Sequence, residues 1–277
     1  MTRYPRLVAG SGLVALLALA GCSGGSSTTS SSSSAGSSTS SSTSASTSQG
    51  GAQGELTVLA AASLRDVFVT IGKDFEAAHP GTKITFSFGP SSGLATQIVN
   101  GSPADVFASA SAATMKTAAD AGAVDASRLF ARNSMTIVVP KDNPAKVDDL
   151  SDLADSTVKV AICAAEVPCG VAAHKVFDTA KLSVKPISEE ADVSAVLTKV
   201  SLGEVDAGIV YVTDASSAKD KVQAVEIPAA DNATTDYPIA VVKDSAHHDL
   251  AQQFTDFVLA PEAAKVLADA GFAGAGG

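Results

Sequence analysis

Serine residues stand where two predicted strands run into helices, and this placement suits the binding of an anion. Ser63 follows the apolar stretch 55–60 and is the predicted N-cap of a helix, because the apolar positions after it recur with the period of a helix. Ser91 or Ser92 caps a helix in the same way after a strand at 83–88. Such a junction offers a hydroxyl and unpaired N–H groups, and the helix dipole favours negative charge there. One junction is common in α/β proteins, so the interpretation depends on its repetition along the chain.

Two further junctions offer backbone donors instead of hydroxyls. Pro168 suits the first turn of a helix, which leaves the N–H of Cys169 unpaired. Asp192 is a suitable N-cap with the N–H of Val193 free, although a simply capped helix would have the same sequence. Tyr211 ends an apolar strand, where its hydroxyl could donate to a ligand or its ring could belong to the core. The carboxyl ends of strands are where open α/β sheets bind ligands.

A hydrolase is the alternative from a different functional class. The segment 89–93, Gly-Pro-Ser-Ser-Gly, matches the Gly-x-Ser-x-Gly elbow, which would make Ser91 the nucleophile of a secreted serine hydrolase. A catalytic histidine would then be His247 or His248. The motif consists of small, common residues in a chain rich in Ser and Gly, and both histidines stand in a polar stretch. These facts favour binding over catalysis.

Two cysteines six positions apart flank the loop before one of these helices. In an exported protein, Cys163 and Cys169 are expected to form a disulfide. No His or third Cys stands at ligand spacing, so no site for a bare metal cation is expected. The bridge would fix the shape of the loop in front of the helix.

The first 53 residues are predicted to be a leader and a tether. Residues 1–21 have two arginines followed by a short apolar run, as in an export signal. The run ends Leu-Ala-Gly-Cys at Cys22, which resembles the lipobox of bacterial lipoproteins; an ordinary secretory signal is the alternative. A lipid on Cys22 would anchor the protein to the outer face of the cell membrane. Residues 22–53, which are mainly Ser, Thr, Gly and Ala, are expected to form a disordered linker.

The remaining chain is predicted to be an α/β body with mostly parallel sheets. About 220 residues are enough for one large or two small α/β domains. The net charge of −10 argues against nucleic acid as a partner and against a basic patch as the anion site. Strands alternate with helices, as in βαβ units. The predicted strands are Glu55–Ala60, Lys83–Phe88, Asp105–Ser109, Met135–Val139, Val158–Ile162, Ala207–Tyr211, Gln223–Ile227 and Ile239–Val242.

Taken in order, six segments resemble the molybdate-binding proteins of bacterial ABC transporters. In that family two Ser hydroxyls with their N–H groups, two further backbone N–H groups and a Tyr hydroxyl hold the oxyanion. The family usually has a small apolar residue where Cys169 stands, but the contact there is a backbone N–H. The segments are Ala60–Leu64, Phe88–Ala95, Pro103–Ser109, Val167–Gly170, Glu190–Val193 and Gly208–Asp214. The resemblance assigns the ligand-binding roles to Ser63, Ser91, Cys169, Val193 and Tyr211.

The resemblance also implies a fold and a function. The fold is the two-lobed periplasmic-binding-protein fold of type II, with residues 54–132 and 237–277 in one lobe, 133–236 in the other, and a ligand cleft between them. The protein would be a monomeric binding protein, not an enzyme, that captures molybdate and tungstate and delivers them to a membrane permease. No cofactor is expected. A donor-only site suits any fully deprotonated tetrahedral dianion, so a receptor for sulfate or another small anion is the alternative.

Overall fold

Residues 54–276, the part of the chain that the computed structural model describes, form a mixed α/β fold. The strands are β1 (Gly54–Ala61), β2 (Thr82–Gly89), β3 (Val106–Ala108), β4 (Arg128–Pro140), β5 (Val160–Cys163), β6 (Ser188–Glu190), β7 (Ala207–Tyr211), β8 (Val222–Val225), β9 (Thr234–Val241) and β10 (Ala273–Gly274). The helices are α1 (Arg65–Ala78), α2 (Ser91–Val99), α3 (Ala112–Asp120), α4 (Pro168–Ala180), α5 (Val193–Ser201), α6 (Val212–Ser217), α7 (His248–Val258) and α8 (Pro261–Asp269).

The strands hydrogen-bond in the order β2-β1-β3-β9-β4-β7-β5-β6, with β8 and β10 also paired to β4. Pairing is parallel from β2 to β3 and from β7 to β6, and antiparallel at β9 and β4 in the middle. The sheet therefore has two mostly parallel halves, which are joined through a pair of antiparallel strands.

Strand β4 belongs to both halves of the sheet. Residues 128–134 pair with β9, whereas residues 135–140 pair with β7 and β8. The sequence predicted a strand only over 135–139, because the first half of β4 carries charged and amide side chains. These side chains have partners: Arg132 Nε donates to Asp236 Oδ1 at 2.9 Å, and Asn133 Nδ2 donates to Thr213 Oγ1 at 2.8 Å.

The hydrophobic core divides on the two sides of this strand. One cluster is built from β5, β7, α4 and α5 together with the second half of β4. Two others are built from β1, β3 and β9 with the helices packed on them. We call the half containing β1, β2, β3, β9 and β10 the first lobe, and the half containing β5 to β8 the second lobe. The predicted α/β class with two lobes is confirmed, while the boundaries at 132/133 and 236/237 fall inside β4 and β9 and stay predictions.

Most predicted elements are present with small shifts. Apart from β4 and β9, the ends of the predicted strands move by at most two residues, and α8 begins at Pro261 as predicted. Strand β9 begins five residues earlier than predicted, at Thr234, and β6 and β10 were not predicted. Strand β6 has the sequence Ser-Glu-Glu at the edge of the sheet, where polar residues are tolerated because one side of the strand faces solvent.

The predicted signal, the lipidated Cys22 and the linker to residue 53 lie outside the described residues. Within the described part of the chain, helices of the length and apolar character needed to cross a bilayer are absent.

Candidate functional site

One small cavity is lined by all five residues that the sequence singled out. Ser63 and Ser91 come from the first lobe, and Cys169, Val193 and Tyr211 come from the second. The cavity is small, with a volume of about 20 Å³. Its complete lining is Ala61, Ala62, Ser63, Gly89, Pro90, Ser91, Ala110, Val167, Pro168, Cys169, Asp192, Val193 and Tyr211.

Ser63 lies in a short 3-10 turn, Ala62–Leu64, between β1 and α1. The prediction that it is a helix N-cap was wrong, because this turn places the N-cap of α1 at Leu64. Its N–H belongs to the first residues of the turn, which have no partner within it. Its hydroxyl oxygen lies 2.9 Å from the hydroxyl oxygen of Tyr237.

Ser91 is the first residue of α2 and is 1% exposed. The predicted cap at Ser91 or Ser92 was wrong, since Pro90 is the N-cap residue. The Ser91 hydroxyl instead accepts a hydrogen bond from the Ala110 N–H at 3.0 Å. A hydroxyl that accepts in this way keeps its own hydrogen for another acceptor. Ser91 can therefore donate both its O–H and its N–H to a ligand in the cavity.

The arrangement around Ser91 does not support the hydrolase alternative. No histidine is among the residues that line the cavity. His248 instead lies with its Nε2 2.7 Å from Asp125 Oδ2, and the Ser91 oxygen is engaged by a backbone N–H. A serine nucleophile needs a base within hydrogen-bond reach.

The first turn of α4 presents backbone donors to the cavity. The first hydrogen bond within this helix runs from the Val171 N–H to the Val167 carbonyl, at 3.0 Å. The N–H groups of Cys169 and Gly170 precede it and therefore have no acceptor in the helix. Pro168 occupies the first turn at no cost, because it has no N–H to leave unpaired.

The loop before α4 is held tightly against the helix. Cys163 and Cys169 are joined by a disulfide, and both are buried. Any side chain at Gly170 would place its Cβ 1.8 Å from the carbonyl oxygen of Ala164. Only glycine permits this approach. The disulfide and the close contact at Gly170 therefore both fix the position of Cys169 at the cavity.

The start of α5 follows the prediction from its capping residue. Asp192 is the N-cap, and its Oδ1 accepts from the Ala195 N–H at 3.1 Å. The first bond within the helix, from the Val196 N–H to the Asp192 carbonyl, is 3.4 Å long. The Val193 N–H lies ahead of that bond and is available to a ligand. The carboxylate itself is turned back onto the helix.

Tyr211 contributes a buried hydroxyl with an unused hydrogen. The residue is 1% exposed, and its hydroxyl makes no hydrogen bond of normal geometry with the described residues, although Thr235 and Tyr237 lie nearby. Burial raises the pKa of Tyr211, so the phenol stays neutral and remains a donor. A buried polar group without a partner is costly, and a hydrogen-bond acceptor in the cavity would satisfy it.

Tyr237 also lies beside the site, although no sequence pattern predicted it. It is fully buried next to the site, and its ring meets that of Tyr211 edge to face at 5.9 Å. It stands in a polar run followed by a proline, and no local pattern in the sequence indicates its position. Only the pairing of β9 with β3 and β4 brings it to Ser63.

Electrostatics around the cavity are unfavourable for an anion at long range. The lining contains Asp192 and no lysine or arginine. Burial raises the pKa of Asp214 to about 7, and the negative charges of Asp192 and Asp66 raise it further. The hydrogen bond from the Tyr211 N–H acts in the opposite direction and lowers this pKa. An anion here would be held by oriented donors and helix dipoles, not by opposite charge. In the described residues, His, Cys, Asp and Glu do not gather in any group of three or more that could hold a metal ion.

Donors from several helix starts around one cavity between two lobes define a binding protein for a small solute. The sequence profile of the bacterial extracellular solute-binding proteins matches residues 56–273, and the chain belongs to this family. The prediction that it is a binding protein and not an enzyme is thereby confirmed.

Two relatives and one solved structure show which solute-binding proteins the chain resembles. The molybdate-binding protein ModA of Mycobacterium tuberculosis is 42% identical over 219 residues, which cover 79% of this chain and 84% of that protein. The putative ABC transporter substrate-binding lipoprotein YvgL of Bacillus subtilis is 37% identical over 227 residues, 78% of this chain and 85% of its own length. The periplasmic molybdate-binding protein of Azotobacter vinelandii has the same fold, with a TM-score of 0.71 at 22% identity, over 78% of this chain and 98% of that one.

Proposed function

We propose that this protein captures molybdate, and also tungstate, outside the cytoplasm and delivers it to the permease of an ABC transporter. The observation that carries the proposal is the single cavity lined by Ser63, Ser91, Cys169, Val193 and Tyr211. These residues come from separate segments of the chain, and each brings a hydrogen-bond donor to the same place. The name of the relative from M. tuberculosis supports molybdate as the ligand.

The chemistry of the lining favours a fully deprotonated dianion. Its donors are hydroxyls and backbone N–H groups, and the Asp192 carboxylate is occupied as a helix cap. Molybdate, tungstate and sulfate accept hydrogen bonds at every oxygen. Hydrogen phosphate carries a proton that needs an acceptor, and leaving it unpaired costs about 1–3 kcal/mol. The site therefore discriminates against hydrogen phosphate by its lack of a free acceptor.

Ligand binding would favour closure of the two lobes. Ser63 and Ser91 belong to the first lobe, and Cys169, Val193 and Tyr211 belong to the second. An anion that bonds to donors from both sides binds the closed form better than an open one, and this difference in affinity shifts the equilibrium. The proposed boundaries, 54–132 with 237–277 and 133–236, place the connecting segments in β4 and β9.

The remaining parts of the proposal concern location and partners. A lipid on Cys22 would hold the protein on the outer face of the cell membrane, and the name of YvgL as a lipoprotein supports this. Residues 22–53 would connect the folded body to that anchor, and the protein would meet the permease as a monomer.

Isothermal titration with molybdate, tungstate, sulfate and hydrogen phosphate tests the function. We expect molybdate and tungstate to bind more tightly than sulfate, and hydrogen phosphate to bind about ten- to a hundredfold more weakly than molybdate, because its proton finds no free acceptor in the lining. Ser92→Ala is a matched control for Ser91→Ala, because it removes a neighbouring hydroxyl that does not line the cavity. Equal affinities for sulfate and molybdate would make the protein a general receptor for dianions. No binding of any of the four oxyanions would refute the proposal.

A further inference from the structure

The hydroxyl of Ser63 has a partner in the first lobe that does not line the cavity. Tyr237 in β9 is 0% exposed, and its hydroxyl oxygen lies 2.9 Å from Ser63 Oγ. The two residues are 174 positions apart. Tyr237 is absent from the cavity lining, so it contacts the binding site through Ser63 and the ring of Tyr211.

The position of the Tyr237 ring is fixed by other rings. It meets Phe130 edge to face at 6.3 Å, Phe272 at 5.3 Å and Tyr211 at 5.9 Å. Such packing leaves the hydroxyl hydrogen as the movable part of the residue. Its backbone is held as well, because Tyr237 pairs with Ala131 in the antiparallel ladder of β9 and β4.

The protonation of Tyr237 makes it a donor. Burial and the neighbouring Tyr211 raise the pKa of Tyr237, whereas hydrogen bonds with Ser63 and Asn133 act in the opposite direction. The phenol therefore keeps its hydrogen at physiological pH. Asn133 Nδ2 donates one hydrogen to Thr213 Oγ1 at 2.8 Å, and its second amide hydrogen is available to the Tyr237 oxygen.

The count of hydrogens sets the direction of the Ser63–Tyr237 bond when an anion is bound. Ser63 has one hydroxyl hydrogen, and an anion in the cavity needs that hydrogen. The hydrogen between the two oxygens must then come from Tyr237. Hydrogen bonds that run in one direction along a chain polarise one another, which strengthens the last donor in the chain.

We propose that Tyr237 is a positioning residue of the oxyanion site: its O–H donates to Ser63 Oγ and thereby directs the only Ser63 hydroxyl hydrogen into the cavity. This inference rests on the proposed function. It assigns a role in ligand binding to β9, one of the two antiparallel strands between the halves of the sheet, and it makes Ser63 a better donor than a serine whose hydroxyl can rotate freely.

A double-mutant cycle measured with molybdate tests the inference. We expect Tyr237→Phe, which removes only the hydroxyl, to raise the Kd about tenfold. In a Ser63→Ala background, where the hydroxyl to be directed is missing, Tyr237→Phe should change the Kd less than twofold. Non-additivity of this kind reports a contact between the two residues and does not arise from a general loss of stability. Effects that multiply in the double variant, or an unchanged Kd in Tyr237→Phe, would overturn the inference.

Thr255→Val is the matched control for the loss of a buried hydroxyl. Thr255 lies in α7 in the same lobe, is 2% exposed, and donates to the Ala251 carbonyl at 2.9 Å. Its removal should lower the melting temperature about as much as Tyr237→Phe while the Kd for molybdate stays within twofold. A tenfold rise in the Kd of this control would show that any buried hydroxyl of the lobe affects binding, and would overturn the specific role.

If Tyr237→Phe does not fold, a measurement that leaves Tyr237 in place tests whether it donates to Ser63. Tyrosine labelled with ¹³C at Cζ reports the hydrogen bonding of each phenol. In the molybdate-saturated protein, the Cζ signal of Tyr237 should have the chemical shift of a phenol that donates a hydrogen bond, with Tyr211→Phe used for assignment. A Tyr237 shift typical of a phenol that only accepts, in protein that binds molybdate, would overturn the inference and leave the proposed function intact. Failure of the wild-type protein to bind molybdate would overturn both.

Discussion

The two sides of the cavity supply their donors in different ways. The first lobe contributes Ser63 and Ser91, whose hydroxyl groups face other protein groups as well as the cavity. The second lobe contributes the main chain at Cys169 and Val193, each ahead of the first hydrogen bond of its helix. Tyr211 is the exception, as the one residue from the second lobe whose side chain carries the proposed donor.

This difference separates positions where the side chain matters from positions where the backbone matters. Replacing a serine removes a donor, and it also leaves its protein partner unsatisfied. Replacing the side chain of Cys169 or Val193 leaves the N–H in place as long as the helix still starts at the same residue. A cysteine can therefore stand at position 169 without loss of the contact, provided that the loop before α4 keeps its shape.

The largest expected effect comes from removing a backbone donor at Val193. The position tolerates proline, because Val193 is the first residue of α5 and Asp192 before it is extended, at φ −158° and ψ 174°. Val193→Pro should weaken molybdate binding about a hundredfold, since a hydrogen bond to a charged group is worth about 1.5–3 kcal/mol. Val193→Ala keeps the N–H and should stay within about threefold in titration calorimetry. Equal affinities for the two variants would remove Val193 from the site.

A somewhat smaller loss of affinity for molybdate is expected when Ser91 in the first lobe is replaced. Ser91→Ala removes one donor to the anion and also leaves the buried Ala110 N–H without its acceptor. We expect the Kd to rise about thirtyfold and the free energy of unfolding to fall by about 1–3 kcal/mol, measured by titration and by urea unfolding. Ser92→Ala should change neither quantity by much. A Ser91→Ala variant that binds normally would show that the two sides do not differ as described.

Asp214, which accepts a hydrogen bond from the Tyr211 N–H, should make the affinity for molybdate depend on pH. This effect should be smaller than that of either substitution. The pKa of Asp214 is raised from 3.8 to about 7 in the folded protein, so folding takes up a proton. The contribution of Asp214 to the free energy of unfolding is therefore complete below about pH 4 and is lost as the pH rises through about 7. Protonated Asp214 also adds no negative charge beside Tyr211, so molybdate should bind severalfold more tightly at pH 6 than at pH 8.

Asp214→Asn is the control for this pH dependence. The amide keeps an acceptor for the Tyr211 N–H, which donates to Asp214 Oδ2 at 3.0 Å in the native protein. Titrations between pH 6 and pH 8 should then give a nearly constant Kd. If the variant retains the full slope of the wild type, another group is responsible.

The smallest effect on affinity is expected from the disulfide. Changing both Cys163 and Cys169 to Ala should lower the free energy of unfolding by about 2 kcal/mol, as the closed loop is short, and leave the Kd within about threefold. Thermal unfolding with and without a reducing agent measures the first quantity, and titration measures the second. A loss of affinity above tenfold would mean that the disulfide positions the N–H of Cys169. The backbone donors of the second lobe would then also depend on side chains.

The parts of the site that were predictable from sequence are those with a local cause. Proline at the first turn of α4 and an aspartate cap before α5 each mark a helix start through short-range chemistry. The partner of Ser63 has no local cause, because Tyr237 comes from a strand 174 residues away. The exact capping residues of α1 and α2 also escaped prediction, since a 3-10 turn and a proline shift the helix starts by one or two residues.

The fold was predictable for similar reasons, with one instructive exception. Apolar strands such as β7 are visible from composition alone, because they are buried on both faces. The first half of β4 was not visible, since its polar residues are satisfied by groups far away in sequence, among them Asp236 and Thr213. Sequence periodicity cannot anticipate such partners.

The place of β9 in the sheet has a consequence for the order in which the molecule is completed. Strand β9 lies between β3 and β4, yet its residues 234–241 come late in the chain. A polypeptide growing from its N-terminus can assemble β5 to β8 against the second half of β4 while the earlier strands still lack their central neighbour. The middle of the chain can therefore fold before its beginning is complete, and a purified fragment that ends near residue 230 should protect the second lobe from protease while leaving the first one open to cleavage.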